Sequence, residues 1–140
     1  MNLQKAYRIA AIYPALFVIV ISFVYAVFEN NNYKSEWLTG DSMILISILI
    51  SFVYSLVMCL LSLTIFLNNI VKWSSILIWN LLTWFLLPLG FVIIIIAHDI
   101  NYRLTYNAAF GRDFIYILVI ITPFVIGLCW SFINYRRIIH

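Results

Sequence analysis

The sequence predicts an all-α fold: a polytopic membrane protein built as an antiparallel four-transmembrane-helix bundle with short loops. Three observations lead there. Of 140 residues, 66% are apolar and 9% are charged, against roughly 45–50% and about 25% in a soluble globular domain. Four runs, Ile9–Phe28, Ser42–Leu67, Trp73–Ala97 and Phe114–Asn134, hold 20, 26, 25 and 21 residues without a single charge. A hydrocarbon core about 30 Å thick needs roughly 20 apolar residues per helix, so each run is long enough to cross. The remainder suffices for two tails and three loops. Residues 1–140 therefore read as a single transmembrane domain with spans at 9–28, 42–67, 73–97 and 114–134. The same composition excludes a soluble enzyme, a disordered regulator and a nucleic-acid-binding domain. Two cysteines make no disulfide framework.

The first run follows Lys5 and Arg8, as a signal peptide would. It is too long for the usual apolar stretch of about 7–15 residues, no A-x-A site follows it, and its last residues, Tyr25–Phe28, are too bulky for a cleavage site. It reads as a retained helix with Pro14 in its first turns, where a missing N–H costs little. The loop from Glu29 to Asp41 is polar and turn-rich, with Trp37 expected at headgroup level. Asp41 or Ser42 is the expected N-cap of the second helix. A connection at Asn68–Lys72 makes helices two and three a tight antiparallel hairpin. The third loop, His98–Asp113, is the longest; Gly111 is expected to end an extension of helix three and Asp113 to cap helix four.

Flanking charges set the orientation. Lys5, Arg8, Lys72, Arg136 and Arg137 fall on one side of this threading, and Lys34, Arg103 and Arg112 on the other. By the positive-inside rule both termini are cytoplasmic, in what reads as a bacterial inner membrane. The basic residues are ordinary helix anchors, fewer in any one cluster than lipid-specific recognition usually requires.

In lipid, helices associate through small and polar residues rather than through Leu against Leu. Ser47, Ser51, Ser55, Cys59 and Ser62 recur at helical spacing along one face of helix two. A packing seam is the favoured reading of that face; a hydrophilic pore wall is the other. Asn80 is the most polar residue well inside a span, and a buried amide there needs partners; Thr83 is one of the small residues that helix three offers for packing. Pro88 and Pro123 each remove a backbone donor inside a helix, which predicts kinks and, less often, gates. In the third loop, Asp99 and Arg103 are spaced i,i+4. Tyr102, Leu104, Tyr106 and Phe110 are expected on the membrane surface, with Asn101, Arg103 and Asn107 facing water. His98, Asp99, Asn101, Arg103 and Arg112 form a candidate outer recognition surface.

Chemistry leaves no comparable signature. No nucleophile has a base at a telling spacing. His98 and Asp99 are too few for a metal site, and no phosphate or dinucleotide motif is present. The spans carry no ionisable carboxylate or basic group of the kind that marks ion-coupled carriers. The expectation is a non-enzymatic protein without cofactor or metal. Its partners are the lipid bilayer and either a second copy, as a homo-oligomer, or a membrane-protein partner, with no nucleic acid. Two other readings stand beside it: a homo-oligomeric channel or membrane-permeabilising defence effector, and an immunity-type protein against a pore-forming toxin.

Overall fold

The structure, a computed structural model, describes residues 2–30, 39–69 and 76–139, with the side chains of Arg112, Ile138 and Ile139 outside that description. The features expected at Lys34, Glu36 and Trp37, at Lys72 and at the Trp73 helix start lie outside the described residues. Those that are described form four helices long and apolar enough to cross a membrane: α1 (Leu3–Asn30), α2 (Gly40–Asn69), α3 (Leu77–Tyr106) and α4 (Arg112–Ile139).

Helix α1 starts six residues before the apolar run begins. Asn2 explains the early start: its backbone is extended and its side chain accepts from the Lys5 N–H at 2.8 Å, satisfying one orphan donor of the first turn. Pro14 consequently lies in the interior of the helix, not in its first turns. Its ring has no N–H for the Ala10 carbonyl and crowds that oxygen. The backbone widens into a π-helical turn over Arg8–Ile12 just before it, with the Tyr13 N–H reaching back to the Arg8 carbonyl. Such one-turn π segments are an established way to absorb a local misfit within an α-helix.

Helix α2 is capped by Thr39, whose Oγ1 accepts from the Ser42 N–H at 3.4 Å. The cap is thus two residues earlier than Asp41. Asp41 falls in the first turn instead, where a negative charge suits the helix dipole. From Ser62 to Asn69 the helix tightens to 3₁₀ geometry. Ser62, Ile65 and Asn68 are buried, and their spacing of three matches the three residues per turn of that helix.

Helix α3 runs nine residues past Ala97 and stops at Asn107, whose φ of 50° puts it in the left-handed region. Asn is the residue that tolerates this conformation best after Gly. Gly111 does not end the extension; its carbonyl accepts from the Phe114 and Ile115 N–H groups at the start of α4. The third connection shrinks to Asn107–Gly111. Both α3 and α4 continue through their prolines, Pro88 and Pro123.

Helix α1 is the hub. Its early turns meet the late turns of α2, where the Tyr7 hydroxyl donates to the Cys59 carbonyl at 3.0 Å and the Tyr7 and Phe66 rings lie 5.3 Å apart. They also meet the late turns of α4, where the Ser131 hydroxyl donates to the Ala6 carbonyl at 2.6 Å. At the opposite end Tyr25 stacks on Tyr116 at 4.8 Å. Two apolar clusters fill the interior. One gathers Ala15, Val18, Met58, Val92, Ile121 and Phe124. The other gathers Ala6, Ala10, Ile65, Trp84, Leu128 and Tyr135 near the Lys5 end.

The closest approach is between α1 and α4. Ala6 and Ala10 on one side face Gly127 and Ser131 on the other, each pair four apart. A Cβ at Gly127 would stand 2.6 Å from Pro14 Cγ and 2.8 Å from the Ile9 carbonyl oxygen, with Ala10 O at 3.2 Å. By contrast a Cβ at Gly90 meets nothing within 4 Å. Gly127→Ala is therefore expected to destabilise the fold by about 1–3 kcal/mol, the range for overpacking, while Gly90→Ala is neutral within about 0.5 kcal/mol or slightly stabilising. Denaturant titration of both variants in the same detergent checks this, and equal midpoints for the two would contradict the close contact.

Candidate functional site

The serine face of α2 points into the molecule. Ser51, Ser55 and Ser62 are buried and Ser47 is half-buried. Three of the four hydroxyls bond back to the carbonyl four residues earlier: Ser47 to Met43 at 3.0 Å, Ser51 to Ser47 at 2.9 Å and Ser62 to Met58 at 2.8 Å. A serine so engaged gives little to a neighbouring helix. Only Ser51 reaches further, 2.9 Å from the Tyr116 hydroxyl on α4. Since the Ser51 proton goes to the Ser47 carbonyl, Tyr116 donates to Ser51 Oγ. Ser55 Oγ, and Ser22 Oγ on α1, have no hydrogen-bond partner although both side chains are buried. Their contribution is small size, which lets α1 and α2 make the most extensive helix contact in the molecule. Cys59 is half-buried and enters through its backbone carbonyl, which accepts from Tyr7.

A second polar group ties the 3₁₀ end of α2 to α3. Thr64 Oγ1 lies 3.0 Å from the Leu61 carbonyl and 2.6 Å from the Thr83 carbonyl. Asn68 donates through Nδ2 to the Ile65 carbonyl at 2.9 Å and to Thr83 Oγ1 at 2.7 Å. Thr83 Oγ1 in turn donates to the Asn80 carbonyl at 3.0 Å. Asn80 is fully buried. Because α3 begins at Leu77, Asn80 sits in its first turn. Trp84 follows, fully buried, with Phe132 and Tyr135 of α4 at 5.6 and 5.5 Å between ring centres. The 3₁₀ tightening and the knot explain one another: side chains at i and i+3 line up on such a helix, which aims Thr64 and Asn68 at α3.

The third cluster closes the opposite end. Arg103 grips Asp99 one turn back through Nε at 2.6 Å and Nη2 at 3.3 Å, and donates from Nη1 to the Ala109 carbonyl at 2.6 Å. Its guanidinium lies 5.7 Å from the centre of Phe110 and 5.6 Å from that of Phe114, within cation–π range. Arg103 is 8% exposed, which corrects the expectation that it faces water: a planar fork between a carboxylate, a carbonyl and two rings is better satisfied than in solvent. Tyr102, Leu104, Tyr106 and Phe110 are exposed, as are His98 and Asn101. Of the candidate recognition residues, then, Asp99 and Arg103 come together as a lock on the Asn107–Gly111 turn. His98 and Asn101 remain on the surface, and the Arg112 side chain lies outside the description.

Thr64, Asn68, Tyr7, Tyr116 and Trp84 are the contact-makers that sequence reasoning missed. The sequence places Asn68 in a connection because it follows an apolar run; the signal for its packing role is the spacing of three from Ser62 through Ile65. Pro88 is buried, and Pro123 half-buried; each lacks the N–H for the carbonyl one turn back, at Trp84 and Val119. Among the described residues no three His, Cys, Asp or Glu side chains gather as metal ligands would. Nothing in these clusters pairs a nucleophile with a base; what they do is hold helices in register.

What the fold defines as a class is a small all-helical protein with four helices suited to crossing a membrane. No protein-family model, no curated protein and no solved structure matches the chain.

Two substitutions test the clusters. Thr83→Val removes the acceptor of the Asn68 amide and is expected to cost about 1 kcal/mol, typical of an interhelical hydrogen bond in a membrane protein. In a double-mutant cycle with Asn68→Leu the two losses should fail to add; full additivity speaks against the bond. Arg103→Gln should leave global stability nearly unchanged and speed hydrogen exchange at the Ala108 amide, which donates to the Arg103 carbonyl. Unaltered exchange there would mean that Arg103 does not hold the turn.

Proposed function

We propose that the chain is a non-enzymatic integral membrane protein that works through helix–helix contacts inside the bilayer, with a second copy or with another membrane protein. The observation that carries this reading is the outer face of α3. Gly90 there has open space around it and lies in an apolar groove of about 610 Å³ bordered by Leu82, Leu86 and Ile93. In hydrocarbon a helix gains most from a neighbour where a small residue lets backbones come close. Ser51, Ser55, Gly127 and Ser131 are already spent on contacts within the chain. Gly90 is a small residue left facing outward, on the helix least tied to the other three.

The threading supports the same reading. Early turns of α1 touch late turns of α2 and α4, and the Thr64–Thr83 and Trp84–Tyr135 contacts repeat that opposed sense between α2, α3 and α4. We read an antiparallel bundle in the membrane, both termini cytoplasmic, in a bacterial inner membrane. Lys5, Arg8, Arg136 and Arg137 then flank its inner end, while Glu29, Asp41, Asp99 and Asp113 stand at the other. A channel lined by the serines of α2 draws no support from their burial, and an immunity role against a pore-forming toxin rests on class-level analogy alone.

Gly90→Leu tests the reading while sparing the interior. Photobleaching step counts in vesicles and co-purification from native membranes report self-association and partners. The expected result is about tenfold weaker association, roughly 1.4 kcal/mol, with helical content retained. A copy number and partner set indifferent to Gly90→Leu would overturn it.

A further inference from the structure

Between α1 and α4 runs an apolar trough of about 720 Å³, walled by Tyr13, Phe17, Val119, Thr122, Ile126 and Trp130. The close contact at Gly127 and the two prolines, Pro14 and Pro123, also line it. On α1 it extends from Ile9 to Ile21, about 18 Å at 1.5 Å per residue. That is close to one leaflet, about half of a 30 Å hydrocarbon core.

One end of the trough is not apolar. Tyr13 also lines a polar hollow of about 410 Å³ with Asn2, Gln4, Lys5 and Arg8. Lys5 and Arg8 are exposed, and neither has an acidic partner within ion-pair distance among the described residues; the one ion pair there is Asp99–Arg103. The described acids sit at the other end of the helices. Asn2 and Gln4 continue into a further polar hollow with Asn68, Asn69 and Tyr135, where the buried Asn68 Oδ1 accepts from nothing. An apolar trough one leaflet long therefore opens into a mouth with two unpaired cations and several amides.

We propose that this trough and mouth form a binding site for one anionic phospholipid, an acyl chain lying along α1 and α4 and the headgroup phosphate held by Lys5 and Arg8. A guanidinium matches phosphate oxygens with paired donors, and an ammonium adds a mobile point charge. The amides of Asn2 and Gln4 offer donors and acceptors to the glycerol and ester groups. The trough wall alone would accept any chain; the mouth is what selects for negative charge. The site rests on the membrane insertion proposed above, not on any partner at Gly90.

The test is native mass spectrometry of the detergent-purified full chain, titrated with phosphatidylglycerol and with phosphatidylcholine of the same acyl chains. One phosphatidylglycerol per chain should be retained, with about thirtyfold preference over phosphatidylcholine, as two interfacial cations at about 1 kcal/mol each supply. Lys5→Gln with Arg8→Gln should abolish the preference. Ile126→Trp, an exposed position on the trough wall, should displace both lipids, with circular dichroism confirming the fold. Equal retention of the two lipids by the parent chain overturns the site. So does a preference that survives loss of both cations, equal competition by free glycerol phosphate, or a dimer that alone responds to Ile126→Trp. Alkaline carbonate extraction separates the causes: a chain that stays with the membrane yet shows no preference lacks the site only, whereas a released chain was never inserted.

Discussion

The contact between Gly127 and the carbonyls of Ile9 and Ala10 fixes much of the rest. It brings α4 against α1 at a distance no side chain would permit. Two misfits make it possible. Pro14 leaves the Ala10 oxygen without its helical donor, and the π-helical turn over Arg8–Ile12 spreads the backbone just there. Once α4 is seated, Ser131 reaches the Ala6 carbonyl, and Leu128 and Tyr135 close over Trp84. The position of α3 follows from that of α4 and from the end of α2, because its direct contact with the body of α2 is slight.

Polar groups in this chain are arranged by the cost of leaving them unmet. A buried amide or hydroxyl in an apolar surround must find a partner or be small enough to ignore. The Thr64–Asn68–Thr83 knot takes the first course, at the end of the helices where the 3₁₀ turn aims side chains across the gap. The serines of α2 take the second. Three return their proton to their own helix, and Ser55 bonds to nothing. Replacing a hydroxyl on that face by a methyl of equal size would alter little, whereas adding bulk would separate α1 from α2. Size rather than hydrogen bonding is the property that matters along most of this seam.

Composition and run length made the four helices legible, because an uncharged run of some 20 residues is long enough to cross a hydrocarbon core as a helix. The ends were not legible from hydropathy. Asn2 and Thr39 cap their helices from outside the apolar runs, and α3 carries a polar last turn, Asn101–Tyr106, held by the Asp99–Arg103 pair. Hydropathy reports solvent preference, while a helix stops where its backbone donors and acceptors are otherwise met. Arg103 illustrates the same gap: its i,i+4 spacing to Asp99 was readable, but its burial needed Ala109, Phe110 and Phe114 folded back by a left-handed Asn107. The serine stripe could be drawn on a helix from spacing alone. Which neighbour it faced could not, since Gly127, Ala6 and Ala10 decide how the helices are ordered around α1.

The separation of charge along the bundle connects this packing to function. Every described acid lies toward the end closed by the Arg103 lock, and Lys5, Arg8, Arg136 and Arg137 lie toward the other. At the locked end Arg103 is held by a carboxylate, a carbonyl and two rings, while Asp41 and Asp113 stay exposed. At the cationic end Lys5 and Arg8 are exposed and the amide oxygen of Asn68 is unmet. Among the described residues the two ends therefore differ in the sign of the charge they present. The two proposed recognition surfaces, the cationic mouth and the bare face of α3, both lie where the chain supplies few partners of its own.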